Sequence, residues 1–116
     1  MKLYYTYLTS ILLLLNACNT PEMQCTHDIQ LPISSPSGDK VAALDYVECG
    51  ATVGKVSWVL IAPSDVKLTS EKSKFAVFEG RAESLLWQSE NNLVITGQLS
   101  EFLVDETMGI SITIRQ

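Results

Sequence analysis

Short apolar strands cut by turn-forming residues predict an all-β fold: a small antiparallel meander, sandwich or partly closed barrel with one disulfide. Three observations carry this. Several short segments are rich in Val, Ile, Thr and aromatic residues, which suit a pleated, half-buried surface. Runs of Ser, Pro, Gly, Asn and Asp separate them at close spacing. Two cysteines, Cys25 and Cys49, remain to pair if Cys18 is consumed by a modification.

The chain opens with Lys2, an apolar run through Ile11-Leu12-Leu13-Leu14-Leu15, and then Asn16-Ala17-Cys18. A basic start, a short apolar core and a small residue before a cut describe a secretory signal. Leu15, Ala17 and Cys18 make it resemble a bacterial lipoprotein signal, which implies that Cys18 is acylated and becomes the mature amino terminus. The alternative is a plain signal or an uncleaved anchor, but Thr6, Thr9, Ser10 and Asn16 interrupt a run shorter than the ~20 residues a spanning helix needs. Residue 19 is Asn and not Asp, which by analogy with lipoprotein sorting implies the outer membrane, facing the periplasm. The expected organisation is therefore a signal peptide over 1–17, a lipidated tether over 18–24 and a single β-domain over 25–116. At about 3.3–3.6 Å per residue the tether reaches roughly 20 Å.

Without residues 1–17 the chain keeps 99 residues, enough for one small core. It retains seven basic and all thirteen acidic residues, a formal charge of −6. That sign excludes phosphate-backbone binding, which needs clustered Lys and Arg, so no nucleic-acid partner is expected. It also gives no attraction to anionic lipid, leaving the acyl chains to hold the membrane. In an oxidising envelope Cys25 and Cys49 are expected to form a bridge, which constrains the unfolded chain by about 3 kcal/mol. A metal site on Cys25, His27 and Cys49 lacks a fourth good ligand, because His27 is the only histidine.

The elements follow in order. Ser34-Ser35-Pro36-Ser37-Gly38-Asp39 is a turn cluster. Lys40 to Cys49 alternates as a strand, with Leu44 and Tyr46 on one face and Val41, Ala43 and Val47 on the other. Gly50 to Gly54 breaks it. Val56-Ser57-Trp58-Val59-Leu60-Ile61-Ala62 is the strongest strand and stops at Pro63. After a polar loop over Ser64–Ser73 come a short strand at Phe75–Phe78 and a hairpin: Ser84–Trp87, a turn at Ser89–Asn92, and Leu93–Thr96. Leu99–Asp105 fits a short helix or a strand. Ile110, Ile112 and Ile114 alternate with Ser111, Thr113 and Arg115, a half-buried last strand.

Ser35-Pro36-Ser37-Gly38, the strand over Lys40–Glu48, Cys49-Gly50-Ala51-Thr52 and the strand over Val56–Ile61 together resemble a family of small bacterial envelope proteins of unknown function. Trp87 with Leu93-Val94-Ile95 is similar to that family as well. The resemblance implies an extracytoplasmic β-domain and brings no activity. The same pieces also resemble one β-propeller blade, but no 40–50-residue repeat accompanies them.

Most chemical candidates fail on spacing. Gly50-Ala51-Thr52-Val53-Gly54-Lys55 is not a phosphate loop, since Val56 replaces the metal-binding hydroxyl. Asp45 and Glu48 point to opposite faces of a strand. Asp105-Glu106 reads as a solvated loop tip. His27 has no Gly-x-Ser-x-Gly elbow to serve. Trp58 and Trp87 lie in strong strands, where at least one is expected in the core with Tyr46, Phe75 and Phe78. The expected contact surface is the Gly50–Lys55 loop, through Gly50, Thr52 and Lys55, because loops carry recognition and the bridge fixes this one's base. The expectation is a non-catalytic, membrane-anchored binding or accessory module for an envelope protein, without cofactor or metal. The alternative is a small hydrolase built on His27 or the carboxylates.

Overall fold

The computed structural model describes residues 25–50 and 54–116. Among them nine strands follow in order: β1 (Thr26–Ile29), β2 (Ile33–Ser34), β3 (Lys40–Glu48), β4 (Val56–Pro63), β5 (Lys74–Glu79), β6 (Ser84–Ser89), β7 (Asn92–Thr96), β8 (Ser100–Val104) and β9 (Ser111–Arg115). The signal segment, Cys18, the tether and Thr52 lie outside the described residues.

Two open sheets face each other, and neither closes into a barrel. The larger runs β1-β3-β4-β5-β8, with β2 beside β3 on the β1 side; the smaller runs β6-β7-β9. Every pairing is antiparallel except β7 with β9, which is parallel. The parallel pair departs from the antiparallel expectation for a topological reason. After β7 the chain leaves the small sheet, adds β8 to the edge of the large one, and returns through a turn at Glu106–Met108. It therefore re-enters in the direction of β7.

The core lies between the sheets. Ala42 and Leu44 of β3, Val59 and Ile61 of β4, and Phe75 and Phe78 of β5 meet Leu93 and Ile95 of β7. Leu85, Trp87, Ile112 and Ile114 pack against this cluster while partly exposed. Each fully buried Phe or Leu contributes about 1.5–3 kcal/mol. The expected faces of β3 are observed: Leu44 and Tyr46 turn to the core cluster, while Ala43 and Val47 are buried on the opposite side. Central β4 is buried on both faces over much of its length, which is why its sequence is almost continuously apolar. Leu99–Asp105 resolves as β8, because pairing with β5 supplies partners for its backbone groups.

Three ties fix the ends of the sandwich. The Cys25–Cys49 disulfide joins the start of β1 to the end of β3. At the same end, buried Ser57 staples the crossing between sheets: its Oγ donates to the Gly80 carbonyl (2.8 Å) and accepts from the Ala82 N–H (2.8 Å). Tyr46 adds a bond from its hydroxyl to the Ala82 carbonyl at 2.7 Å. Gly80 has φ +107°, and a Cβ there would lie 2.5 Å from the Gln98 carbonyl oxygen, so the close approach requires glycine. At the opposite end the Ser35–Gly38 turn meets the β6–β7 tip. The Ser37 N–H donates to the Glu90 carboxylate, and the Lys40 ammonium donates to the Glu90 carbonyl at 2.8 Å.

Candidate functional site

Strand alternation assembles a row of side chains on the outer face of the large sheet. Ile29 lies opposite Asp45, Asp45 opposite Trp58, Trp58 opposite Val77, and Val77 opposite Leu103. The row crosses β1, β3, β4, β5 and β8, and the β5–β8 register shifts immediately beside it, between Val77 and Phe78. Ile29 and Leu103 are exposed (41% and 53%), Trp58 and Val77 are half-buried, and Asp45 is fully buried.

Asp45 is the unusual member. It shares its face with buried Ala43 and Val47, so its carboxylate needs donors. His27, two residues before Ile29 on the same face, places Nδ1 2.8 Å from Asp45 Oδ2. Ser70, from the loop between β4 and β5, donates its hydroxyl to the same oxygen at 2.7 Å. Asp45 Oδ1 is buried without a partner. The loop is held for this task by its own bonds: the Thr69 N–H donates to Ser73 Oγ, the Ser73 N–H to the Thr69 carbonyl, and the Ile61 N–H to the Ser73 carbonyl.

An ionised carboxylate only accepts, so the bond to Asp45 places a proton on His27 Nδ1 and leaves Nε2 directed away from the carboxylate. The imidazole side chain is 31% exposed. It stands edge-on to Trp58, with ring centroids 5.1 Å apart and an interplanar angle of 66°. The Lys74 ammonium lies 4.8 Å from the Trp58 ring centroid, within cation–π range. Chemically this is the orienting half of a hydrolytic triad, a carboxylate setting the tautomer of a histidine. Ser70 bonds the carboxylate and not Nε2, so it does not occupy the nucleophile's place.

The other candidates are dispersed. Gly50 and Lys55 are exposed at the disulfide end, and the Lys55 carbonyl accepts from the Gly80 N–H. Glu48 is exposed and is not brought to Asp45. Asp105 caps the Glu106–Met108 turn, accepting from the Thr107 hydroxyl and N–H, which in that order hold its carboxyl below the usual range. Among the described residues no group of three or more His, Cys, Asp and Glu is placed to hold a metal ion. Trp87 packs on the core and donates its indole N–H to the Ile33 carbonyl at 3.0 Å, whereas Trp58 belongs to the outer face.

The pairing of His27 with Asp45 is the feature that sequence reasoning missed. Half of its signal was present: alternation along β3 sets a carboxylate on the face of Ala43 and Val47, but the strand that carries His27 was not read from the sequence. Compared with known proteins, the chain matches no family model, no curated protein and no solved structure, so this site stands on its own geometry.

Proposed function

We propose that the protein is a lipid-anchored component of the cell envelope, held through Cys18 on the outer membrane and facing the periplasm. There it acts as a non-catalytic binding or accessory module for an envelope protein. The observation that carries this reading is the outer row Ile29–Trp58–Val77–Leu103, interrupted only by Asp45. Scattered apolar residues on a surface need no explanation, but three directly opposed ones, Trp58, Val77 and Leu103, have the make-up of a protein-contact centre. His27 and Lys74 supply a polar rim beside the same indole. The Gly50–Lys55 loop, through Gly50, Thr52 and Lys55, adds a second contact whose base the disulfide fixes.

The test places a photo-crosslinking residue at Leu103 in the intact lipidated protein. A discrete adduct with one envelope protein, abolished by Trp58→Ala in a folded chain, supports the reading. An adduct pattern indifferent to Trp58 refutes it.

The hydrolase reading is favoured by one observation, the Asp45-oriented His27 with Nε2 directed away from the carboxylate. It takes precedence if His27→Ala abolishes function in a chain shown to be folded and lipidated.

A further inference from the structure

The sandwich has four edges, and three are blunted. On the large sheet, β1 is four residues long, carries His27 and Asp28, and is tied by the disulfide; its neighbour β2 has two residues. β8 carries Glu101, and its pairing with β5 has a register shift. On the small sheet, β6 has a register shift at Trp87/Ser89, and its Trp87 indole donates to the Ile33 carbonyl of β2. These are the usual guards against edge-to-edge pairing.

The fourth edge, β9, is the least guarded: its one charged residue, Arg115, stands at the very end of the strand. Ser111-Ile112-Thr113-Ile114-Arg115 contains no proline, lysine or acidic residue, and its pairing with β7 is regular. The Ser111 N–H donates to the Asn91 carbonyl, and the Gly97 N–H donates to the Arg115 carbonyl, both at 2.9 Å. In a parallel ladder this assigns the polar backbone groups of residues 111, 113 and 115 to β7. Ile112 and Ile114 therefore turn their N–H and C=O groups to the open edge, where no strand among the described residues meets them.

We propose that this edge pairs with the same edge of a second copy. An antiparallel register centred on Thr113 is self-complementary. Ile112 of one copy meets Ile114 of the other as a hydrogen-bonded pair, and the reciprocal pair completes four bonds around a two-fold axis. Both isoleucines face their cores, so the partly exposed apolar seam at Ile112 and Ile114 becomes continuous across the pair. Exposed Thr113 meets its own copy on the outer face as a non-hydrogen-bonded pair. Isologous contacts of this kind are the commonest route to a homodimer.

The test is site-specific oxidation in the full chain, in cells and in mild detergent. Directly opposed residues in a non-hydrogen-bonded pair have Cα atoms about 4.5 Å apart, within disulfide range. Thr113→Cys should crosslink copies rapidly, while Glu71→Cys on the exposed β4–β5 loop should not, with the Cys25–Cys49 bridge intact in both. A second measurement avoids new cysteines. Thr113→Lys sets two ammonium groups face to face and should shift the sedimenting species from dimer to monomer. Crosslinking of Thr113→Cys no faster than Glu71→Cys, or a wild-type chain that sediments as a monomer at all concentrations, overturns the proposal.

Discussion

Replacing His27 by alanine tests whether the buried carboxylate beneath it is a structural liability that the imidazole offsets. Asp45 is 0% exposed, and its Oδ2 takes two short bonds, from His27 at 2.8 Å and Ser70 at 2.7 Å. Each hydrogen bond to a charged group is worth about 1.5–3 kcal/mol, and stripping one partner from a buried pair costs about 3–5 kcal/mol. Two facts lower that figure here. Ser70 still donates, and the vacated site is open to water, because the imidazole side chain is 31% exposed. A loss of about 2 kcal/mol follows, which for a domain this size lowers Tm by about 10 °C. Asp45→Ala should cost less, about 1 kcal/mol, since it removes the desolvated charge and releases an exposed imidazole and a half-exposed hydroxyl. The double variant should show a coupling of about 1–2 kcal/mol. Urea unfolding of the four chains measures all of this. If His27→Ala unfolds at the wild-type midpoint with the same slope, the His27–Asp45 hydrogen bond does not hold β1 and the Ser70 loop in place. The same measurement must accompany any functional assay of His27→Ala, because lost activity in an unfolded chain says nothing about catalysis.

Four other outcomes are expected. Cys18→Ala should leave an unacylated precursor or released chain, and mass spectrometry should find the wild-type mature terminus lipidated at Cys18. Cys49→Ala should lower Tm, because freeing Cys25 returns about 3 kcal/mol of entropy to the unfolded chain; non-reducing peptide mapping should show the two peptides linked. Ser57→Ala strands the Ala82 N–H and the Gly80 carbonyl together, costing about 2–3 kcal/mol by chemical denaturation, with Ser57→Thr failing to rescue if the added methyl does not fit. The Glu90 carboxyl is held below its usual range, first by the Ser37 N–H and then by the Ser37 and Ser35 hydroxyls and Lys40. A depressed carboxyl stabilises the fold above its unfolded value and loses that contribution as pH falls through the folded one. The Ser37 amide resonance should therefore shift with a midpoint below the ordinary glutamate range, and Glu90→Gln should abolish the shift.

Local pattern was enough to read most strands, and it failed where partners are distant. The alternation of Ile110, Ile112 and Ile114 predicted a half-buried strand, and Ile112 and Ile114 do face the core. Its direction could not be read, because that depends on β8 having crossed to the other sheet. Leu99–Asp105 has apolar residues that satisfy both periods, and only the edge of β5 decides between them. At least one of Trp58 and Trp87 was expected in the core; Trp87 packs there, while strand alternation sends Trp58 to the outer face of β4, where it is half-buried. The His27–Asp45–Ser70 cluster joins residues 18 and 25 positions apart, from a strand and a polar loop, and no local spacing rule links them.

The anchor and the edge pairing, both proposals, constrain each other. The two-fold axis of an antiparallel edge pair is perpendicular to the sheet, so strands of the two copies run in opposite directions. If the strands stood upright on the membrane, the Cys25 end of one copy would face lipid and that of the other would face away. The tether of the second copy, roughly 20 Å, would then have to reach past the length of a strand, which for nine-residue β3 is about 30 Å. The axis must instead lie along the membrane normal, with both sheets flat above the bilayer and both Cys25 residues at equal height. Two arrangements satisfy this. In one, the Ile29–Leu103 row faces away from the lipid and is open to a periplasmic partner; in the other it faces the lipid. A probe at Leu103 read against quenchers in the headgroups separates them. Quenching at Leu103 with none at Leu86, exposed on the small sheet, would assign the row to the membrane and remove the protein partner from this surface.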